Sequence, residues 1–553
     1  IKPEKCRQFD LEMESNEDKA MILMNAFYNE QDLGDILNYK DKIMAITTDD
    51  IKRVAKKYLS DNYLALYIEK GKPDKNAKIE KPGYKPLEPP VGKESLYATQ
   101  FKNLPIGQME EKFADYGEVQ IKQLNDRSKM YYTPNKENNV FQLVVQYGAG
   151  EREFPKLGYA AQLMNNAGIM GAYEPQELKE ELSKLNATCH VTADDDNLYI
   201  IMEGYEATLP QACQLLSRQI LMPKLDEKQL ARLKGSAMGM RQQRKDNVSI
   251  LNEALRQYML YGEKSDYIKE LTDKEIYELQ ISELTGDINR ASNYEAKVFF
   301  TGTLPFDQVY DILSKNLPLV ANERPSNSPR AKEMMPVTEN TVYFLPNNDA
   351  EQAQIHLYIP MQKADKKDDV LRSAFNQYFG LDFTGIVLNE IREKRSMAYT
   401  AYAFVGTQGI AGKASYLRGY IGTQNGKAND ALDVLMSLVN DMPKNPERIG
   451  NIKSYLRQAM LTSHPSFRNK AMELVDLGYR GYTDDPAKEN LPKVDALTFD
   501  DIVKFYEENI KGKPYCISIM GNPKDIDLKR LEKFGKVVKL NERKLFNTKD
   551  ALF

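Results

Sequence analysis

The sequence has few of the residues that most often hold metals or form disulfide bonds: three histidines and four cysteines among 553 residues. His190, His356 and His464 are far apart and no two of them share one face of a helix, which excludes a two-histidine zinc motif. The cysteines are scattered and form no Cys-x-x-Cys pair, so neither a cysteine zinc site nor a disulfide framework is expected. The cysteines are Cys6, Cys189, Cys213 and Cys516.

Long apolar runs and an excess of charge of one sign are also absent. No stretch of 18 apolar residues occurs, so no segment is predicted to span a membrane. The 76 basic and 80 acidic residues give a net charge of −4. We find no basic stripe with interleaved aromatic residues, so no nucleic-acid partner is expected. A hydrophobic content of 42% and a charged content of 28% are typical of a soluble globular protein.

One sequence phrase occurs three times, at 46–51, 271–276 and 497–502, and its threonines are 225 and 226 residues apart. In each copy a Thr is followed three residues later by an acidic residue, which is the pattern of a capping box at the start of a helix. A β-rich run follows each predicted helix. These runs are 63–68, 296–301 and 515–520. The constant spacing predicts duplicated domains, the first of which lacks its front.

The repeats divide the chain into three modules. These are the N-terminal module (1–70), the middle module (119–321) and the C-terminal module (341–553), joined by proline-rich linkers at 71–118 and 322–340. The N-terminal module holds only the tail of a repeat, and the chain begins at Ile1 rather than at Met. We therefore expect a C-terminal piece of a longer protein.

The two larger modules place strands before and between long helices. The middle module is predicted to contain a hairpin at 187–203 that turns at 194–197, and the C-terminal module a helix over 370–393. Because the strands do not alternate strictly with helices, the predicted fold class is α+β. We expect each module to form an antiparallel or mixed sheet covered by helices on one face.

This organisation resembles the insulinase/pitrilysin family of zinc metallopeptidases, whose homologous α+β domains form two bowl-shaped halves around a chamber. Two segments carry the resemblance. Residues 148–160 resemble the glycine-containing turn before the family's metal-binding helix, and residues 388–399 resemble a segment with an Arg and a Tyr seven residues apart. The resemblance implies that the N-terminal module ends a second domain. The middle and C-terminal modules would be a degenerate third domain and a substrate-binding fourth domain of a clamshell.

The family's metal-binding helix carries the motif H-x-x-E-H, in which two histidines bind zinc and the glutamate activates water. Aligned on Gly158 and Ala160, the equivalent positions here are Ala161, Met164 and Asn165. None of these side chains can replace the family's residues. The stretch 228–252, where the third ligand is expected, contains no Glu. The resemblance therefore implies that this chain holds no cofactor and that zinc belongs to the full-length protein.

Arg392 and Tyr399 occupy the positions of the family's substrate-binding Arg and Tyr. The resemblance implies that Arg392 hydrogen-bonds the peptide main chain and that Tyr399 donates to the oxygen of the tetrahedral intermediate. The residues alone leave a second interpretation open. Arg392 lies in a charged cluster that suits a solvated helix end, and Tyr399 suits a core position in a strand.

Two further motifs do not support a ligand site. The glycine-rich stretch 406–413 has the wrong spacing for a phosphate loop and lacks the Ser or Thr that would hold magnesium, so a turn between strands is expected. The acidic stretch 194–197 lacks the Gly and Glu of a calcium loop. We expect a polar hairpin turn there and structural roles for the three histidines.

The leading hypothesis is the C-terminal portion of an insulinase-like zinc metallopeptidase, which encloses and binds peptide and is inactive alone. Its partners would be a peptide substrate, bound at a sheet edge as an added strand, and the zinc-binding N-terminal half. The alternatives are a non-catalytic scaffold or partner subunit of the same family, or a peptide carrier. The compartment is unknown from the residues, and family analogy favours the bacterial periplasm over the cytoplasm.

Overall fold

Each of the three repeated threonines begins a helix in the computed structural model. The hydroxyls of Thr47, Thr272 and Thr498 each accept a hydrogen bond from the backbone N–H three residues on, and the acidic side chain there accepts one from the Thr N–H. This reciprocal pairing satisfies N–H groups that a helix start otherwise leaves without partners. The three predicted capping boxes are confirmed.

The structure describes residues 1–59, 61–69, 71, 94–105, 110–244, 247–320, 323–381 and 383–549. Five prolines of the first predicted linker, between 73 and 90, lie outside the described residues, as does Asn322 at the start of the second. The N-terminal helices are α1 (Lys2–Glu12), α2 (Asn16–Tyr28), α3 (Leu33–Leu37), α4 (Tyr39–Ala45) and α5 (Thr48–Tyr58), followed by α6 (Leu96–Lys102) in the linker.

The middle module combines one large sheet with helices. Its strands are β1 (Gln120–Gln123), β2 (Lys129–Pro134), β3 (Val140–Tyr147), β4 (Gly168–Ile169), β5 (Thr188–Ala193), β6 (Leu198–Tyr205), β7 (Pro223–Lys224) and β8 (Ala296–Gly302). Its helices are α7 (Leu157–Met164), α8 (Pro175–Lys184), α9 (Leu209–Leu221), α10 (Glu227–Gln243), α11 (Val248–Tyr261), α12 (Asp266–Lys269), α13 (Asp273–Tyr277), α14 (Ile281–Ala291) and α15 (Phe306–Asn316). The sheet order is β1-β2-β8-β3-β6-β5, and β4 pairs with β7 separately. The hairpin predicted at 187–203 is confirmed as β5 and β6.

The C-terminal module has the same plan. Its strands are β9 (Thr341–Pro346), β10 (Gln352–Lys363), β11 (Ala398–Thr407), β12 (Ala414–Gln424), β13 (Cys516–Gly521) and β14 (Lys536–Lys539). Its helices are α16 (Asp369–Phe379), α17 (Ile386–Leu388), α18 (Ala428–Asn440), α19 (Ile449–Thr462), α20 (Lys470–Tyr479), α21 (Pro486–Ala496), α22 (Phe499–Asn509) and α23 (Leu528–Leu531). The sheet order is β11-β12-β10-β13-β9-β14.

Five strands of the two sheets follow the same order. The series β2-β8-β3-β6-β5 in the middle module corresponds to β9-β13-β10-β12-β11 in the C-terminal module. In each series the first pair is parallel (β2 with β8, β9 with β13) and the other pairs are antiparallel. The two mixed sheets and their helices confirm the predicted α+β fold class.

Both faces of each sheet are covered, whereas the sequence predicted helices on one face. Side chains alternate along the strands, so one face of each sheet packs on the helices of its own module. The opposite face of the C-terminal sheet packs on α11 of the middle module, through Leu251 and Leu255. The opposite face of the middle sheet packs on α20 of the C-terminal module, through Ala471 and Leu474. We call α11 and α20 the exchange helices.

Two predicted elements are wrong. Residues 62–69 form no strand, and their large apolar side chains are exposed. The equivalent strands β8 and β13 each lie between two neighbours, and the described part of the N-terminal module offers no sheet for this run to join. The single helix predicted over 370–393 is also wrong, because α16 ends at Phe379 and Gly380 follows it. The chain packs closely at Gly380, where an added Cβ would lie 2.9 Å from Val387 and 3.1 Å from the backbone nitrogen of Ala403.

The N-terminal module docks on the other two through buried polar side chains, Arg7 on α1 and Glu14 in the turn just after it. The Arg7 guanidinium donates to the carbonyl of Asn186 at 2.6 Å and to Thr188 Oγ1 at 3.1 Å. Glu14 accepts from Nε of Arg468, in the C-terminal module, at 2.6 Å. Both charged side chains of that ion pair are about nine-tenths buried. No helix within the described ranges has the length and apolar character needed to cross a lipid bilayer.

Candidate functional site

Arg392 lies on a short π-helix, Asn389–Glu393, that follows α17. Such single-turn insertions are frequent at functional sites. On the same turn, the Glu390 carboxylate accepts hydrogen bonds from Lys394, at 2.6 Å, and from Arg395. These hydrogen bonds lower the pKa of Glu390. Because Glu390 is occupied by its two neighbours, the Arg392 guanidinium is left for other contacts.

Tyr399 lies at a β-bulge near the start of β11. Ala398 pairs with Thr423 and Thr400 pairs with Gly422, so Tyr399 is an extra residue opposite β12. A bulge redirects the side chains of the strand that carries it, and the Tyr399 side chain is 79% exposed. Tyr399 is therefore not part of the hydrophobic core.

The structure brings the two predicted site residues together. Cζ of Arg392 lies 5.0 Å from the centroid of the Tyr399 ring and 5.7 Å from that of the Phe383 ring. Nε of Arg392 also lies 3.3 Å from the Glu393 carboxylate. A cation over aromatic rings is attracted to them electrostatically. These contacts hold the guanidinium beside the phenol, so one ligand can reach both groups.

An open cavity of about 440 Å³ lies beside this pair and is lined by Arg392, Tyr399 and Lys427, among others. Ser396, also at its edge, has a backbone φ of +47°, which is uncommon for a residue other than glycine. Its carbonyl accepts a hydrogen bond from Lys427 Nζ at 3.0 Å. Residues in such conformations persist where surrounding contacts hold them, and they cluster at binding sites.

The chemistry available at this cavity is binding and orientation. The Arg392 guanidinium carries several fixed N–H donors and the Tyr399 phenol carries one O–H donor, which suit carbonyl or carboxylate oxygens. Across the part of the chain that the structure describes, no group of three or more His, Cys, Asp or Glu side chains could hold a metal ion.

The three residues predicted to be degenerate zinc-site positions have structural roles at the end of α7. Ala161 and Met164 on α7 are buried in the core. The Asn165 side chain pairs with both backbone groups of Val191 on the edge strand β5: Nδ2 donates to its carbonyl at 2.9 Å and Oδ1 accepts from its N–H at 2.8 Å. Ala and Met supply no zinc ligand or base, and the Asn165 amide is engaged. These three residues do not fit a catalytic zinc ion.

The C-terminal module also has an asparagine side chain that pairs with both backbone groups of a residue on an edge strand. The Asn376 side chain on α16 donates to the carbonyl of Val405 at 3.0 Å and accepts from its N–H at 2.6 Å, on the edge strand β11. Two residues earlier on β11, the Ala403 N–H donates to the carbonyl of Gly380 at 3.0 Å. A peptide that adds a strand needs these edge groups, so strand addition is blocked at Val191, Ala403 and Val405.

The remaining candidates from the sequence are two turns between strands and three histidines. Residues 408–413 connect β11 to β12, and residues 194–197 connect β5 to β6, so both predicted turns are confirmed. His190 is exposed on β5, His356 is buried on β10, and His464 follows α19. Sequence reasoning missed Lys427, Asn165 and Asn376 as partners, because none of them lies in a recognisable local pattern with the groups it contacts.

One family model matches the chain. It is described as the peptidase M16 inactive domain, and it matches residues 292–452. No curated protein matches the chain in sequence. Among solved structures, the peptidase M16 inactive domain of Pseudomonas fluorescens aligns over 74% of this chain and 99% of its own length, at 17% identity and a TM-score of 0.58.

Two larger proteases also share the fold. The periplasmic protease PqqL of Escherichia coli aligns over 88% of this chain at 12% identity, with a TM-score of 0.56. The ferredoxin protease FusC, solved as a mutant in complex with Arabidopsis ferredoxin, aligns over 86% at 13% identity, with a TM-score of 0.58. This chain spans about half of each, 52% of PqqL and 50% of FusC.

The fold defines a class of protein built from repeated α+β modules that exchange a covering helix. Within that class, residues 292–452 are matched as a peptidase M16 inactive domain, and the solved structures share the architecture. The resemblance predicted from the sequence is confirmed as a match to the peptidase M16 inactive domain over residues 292–452.

Proposed function

We propose that this chain is the C-terminal portion of an insulinase-like zinc metallopeptidase and that it encloses and binds peptide substrates. The observation that carries the proposal is the side-by-side placement of Arg392 and Tyr399 at an open cavity. Backbone irregularities position both residues, and the surrounding segment matches a domain of this family. In this proposal the N-terminal module ends a second domain, and the middle and C-terminal modules are the third and fourth.

Zinc chemistry in this proposal belongs to an N-terminal half that is separate from this chain. The residues at the degenerate helix, Ala161, Met164 and Asn165, support it because none can hold or activate a zinc-bound water. The role of this chain is then to bind the peptide main chain through Arg392 and to donate a hydrogen bond from Tyr399 to a substrate oxygen.

The helix α2 supports the existence of that other half. It begins at Asn16, and the exchange helices begin at Val248 and Lys470, so the three helices recur at close to the period of the repeats. Whereas α11 and α20 each cover a sheet of another module, α2 leaves most of its large apolar side chains in solvent, with Leu23 53% and Phe27 89% exposed. We propose that α2 covers the outer face of a sheet in the N-terminal half.

A cleavage assay with and without a chelator tests whether the zinc chemistry belongs to the N-terminal half and not to this chain. This chain alone is expected to cleave no peptide under either condition. A longer protein that also carries an H-x-x-E-H half is expected to cleave peptides and to lose that activity when zinc is removed. Chelator-sensitive cleavage by this chain alone would contradict the assignment of zinc to the other half.

Substitution of Arg392 tests the binding role. In the longer protein, Arg392→Ala is expected to lower kcat/KM by about 100-fold, because it removes several charge-assisted donors at once. Tyr399→Phe is expected to lower kcat with a smaller effect on KM, because it removes one O–H donor. The matched control is Arg395→Ala, on the same helix end but outside the cavity lining. Native kinetics in Arg392→Ala would remove the role given to that residue.

A second candidate function is a non-catalytic scaffold or partner subunit of the same family. The observation that favours it is the purely structural use of Asn165, which closes a sheet edge. A longer protein that contains this chain discriminates the two, since an H-x-x-E-H motif in its N-terminal half supports the peptidase. The description of PqqL as periplasmic supports a periplasmic location, which cell fractionation tests.

A further inference from the structure

We propose that the cavity beside Arg392 and Tyr399 selects peptides that carry a carboxylate, which binds between Arg392 and Lys427. This inference rests on the proposed peptide-binding function and adds a substrate class and a second specificity residue. The carboxylate can come from an Asp or Glu side chain or from the peptide's C-terminus.

Lys427 carries a charge without an acidic partner. It is half-buried at the start of α18, and its ammonium donates to the carbonyl of Ser396 at 3.0 Å. Among the described residues, no carboxylate lies within ion-pair distance of its Nζ. An ammonium has three donors, so two remain for a ligand in the cavity that Lys427 lines.

The wall that holds Lys427 is fixed by other contacts. Thr423, on β12, is 2% exposed, and its hydroxyl donates to the carbonyl of Met397. The Ser396 N–H in turn donates to the carbonyl of Arg392 at 2.8 Å. In the turn between the π-helix and β11, Ser396 therefore donates its N–H to Arg392 and accepts a hydrogen bond from Lys427 at its carbonyl. The backbone that carries Arg392 and the carbonyl that accepts from Lys427 are therefore directly linked.

The local charge balance favours an anion. The charged side chains lining the cavity are Arg392, Glu393 and Lys427, so one positive charge is in excess. Nearby, the single carboxylate of Glu390 is shared by two cations, which adds to the excess. A neutral peptide leaves the Lys427 ammonium with a carbonyl partner alone, whereas a carboxylate gives it and Arg392 a charge-assisted hydrogen bond each. Charge complementarity of this kind produces specificity.

Fluorescence anisotropy with three labelled nonapeptides tests the proposal on the intact chain. The peptides share one sequence: one has internal Glu residues and an amidated C-terminus, one has Gln in their place and is amidated, and one has Gln and a free C-terminal carboxylate. At least one carboxylate peptide is expected to bind about tenfold more tightly than the neutral peptide. Which of the two binds more tightly identifies the source of the carboxylate.

Substitutions at Lys427 test whether this residue causes the preference for carboxylate peptides. Lys427→Gln is expected to reduce the tenfold ratio to less than about threefold, and Lys427→Arg is expected to keep it, since the positive charge remains. Lys529→Gln, which removes an exposed lysine on α23, is the matched control and keeps the native ratio. Thermal unfolding of each variant checks that it folds.

Each result decides between the two proposals. Equal affinity for all three peptides, or an unchanged ratio in Lys427→Gln, would overturn the carboxylate preference. If Arg392→Ala then weakens binding of every peptide equally, the proposed peptide-binding function still stands. If the native chain binds none of the three peptides, both proposals are wrong.

Discussion

The helices α2, α11 and α20 occupy corresponding places in the three repeats but differ in burial. The eighth residue of each helix is a leucine, and Leu23 is 53% exposed while Leu255 and Leu477 are 0% and 1% exposed. Leu255 on α11 packs against the sheet of the C-terminal module, and Leu477 on α20 packs against Ala114 and Tyr116 at the end of the linker. The same helical pattern without such a partner stays in solvent. Apolar side chains on a helix are therefore buried only where another part of the chain packs against them.

Replacement of the matched leucines is expected to give the largest difference in unfolding free energy between the buried and the exposed helix. Leu255→Ala is expected to lower the free energy of unfolding by about 3–5 kcal/mol, because it removes buried methyl groups and leaves a cavity under α11. Leu23→Ala is expected to change it by less than about 0.5 kcal/mol in this chain, since the side chain is already in water. Urea unfolding of both variants measures the difference. Equal losses would show that α2 is buried in solution.

Much of the fold could be predicted because its signals are local. A capping box needs two side chains three residues apart, so the repeat of Thr498 and Asp501 is visible in the sequence and recurs in the structure. Strand order is not visible in this way, since β8 inserts between β2 and β3 from far along the chain. The exchange of α11 and α20 could not be predicted either, because an apolar stripe does not show which sheet it will cover.

The candidate site was predictable only in part. The spacing of Arg392 and Tyr399 identifies both residues as candidates. Their contact depends on a π-helix and a β-bulge, and neither of these backbone features can be predicted from the residue types. The hairpin of β11 and β12 separates Tyr399 from Lys427 in sequence, and the pairing of these two strands brings Lys427 back to the cavity. The side-chain pairing of Asn165 with Val191 joins residues 26 apart across a helix and a strand. Such contacts follow from tertiary structure.

The docking of the N-terminal module differs from that of the exchange helices because it is polar, and the ion pair between Glu14, just after α1, and Arg468 tests it. Arg468→Met leaves the Glu14 carboxylate largely buried without its cation, so a loss of about 3 kcal/mol is expected. Hydrogen exchange of the α1 amides and urea unfolding measure it.

The double variant with Glu14→Leu is the control for this ion pair. It is expected to recover most of the loss, because no uncompensated charge remains. If the single variant keeps the native exchange protection of α1, the ion pair does not hold the N-terminal module in place.

The smallest expected effect concerns His356, which lies on β10 beneath the exchange helix α11. Its Nε2–H donates to Asn252 Oδ1 on α11 at 3.0 Å. Burial, with help from the nearby cations Arg418 and Arg256, lowers the pKa of His356 to about 3. The unfolded chain binds this proton near pH 6.5. The unfolded state therefore gains the proton first, and stability falls as the pH drops from about 6.5 towards 3.

Between pH 7 and pH 5, this histidine is expected to cost about 2 kcal/mol of unfolding free energy. His356→Gln keeps a donor for Asn252 and removes the titration, so the pH dependence of its stability is expected to be flatter than that of the native chain by about this amount. His464→Gln, in the turn after α19, is the matched control for replacing an exposed histidine. Identical pH profiles for His356→Gln and the native chain would mean that His356 titrates alike in both states, and that α11 does not seal this face of the sheet from protons.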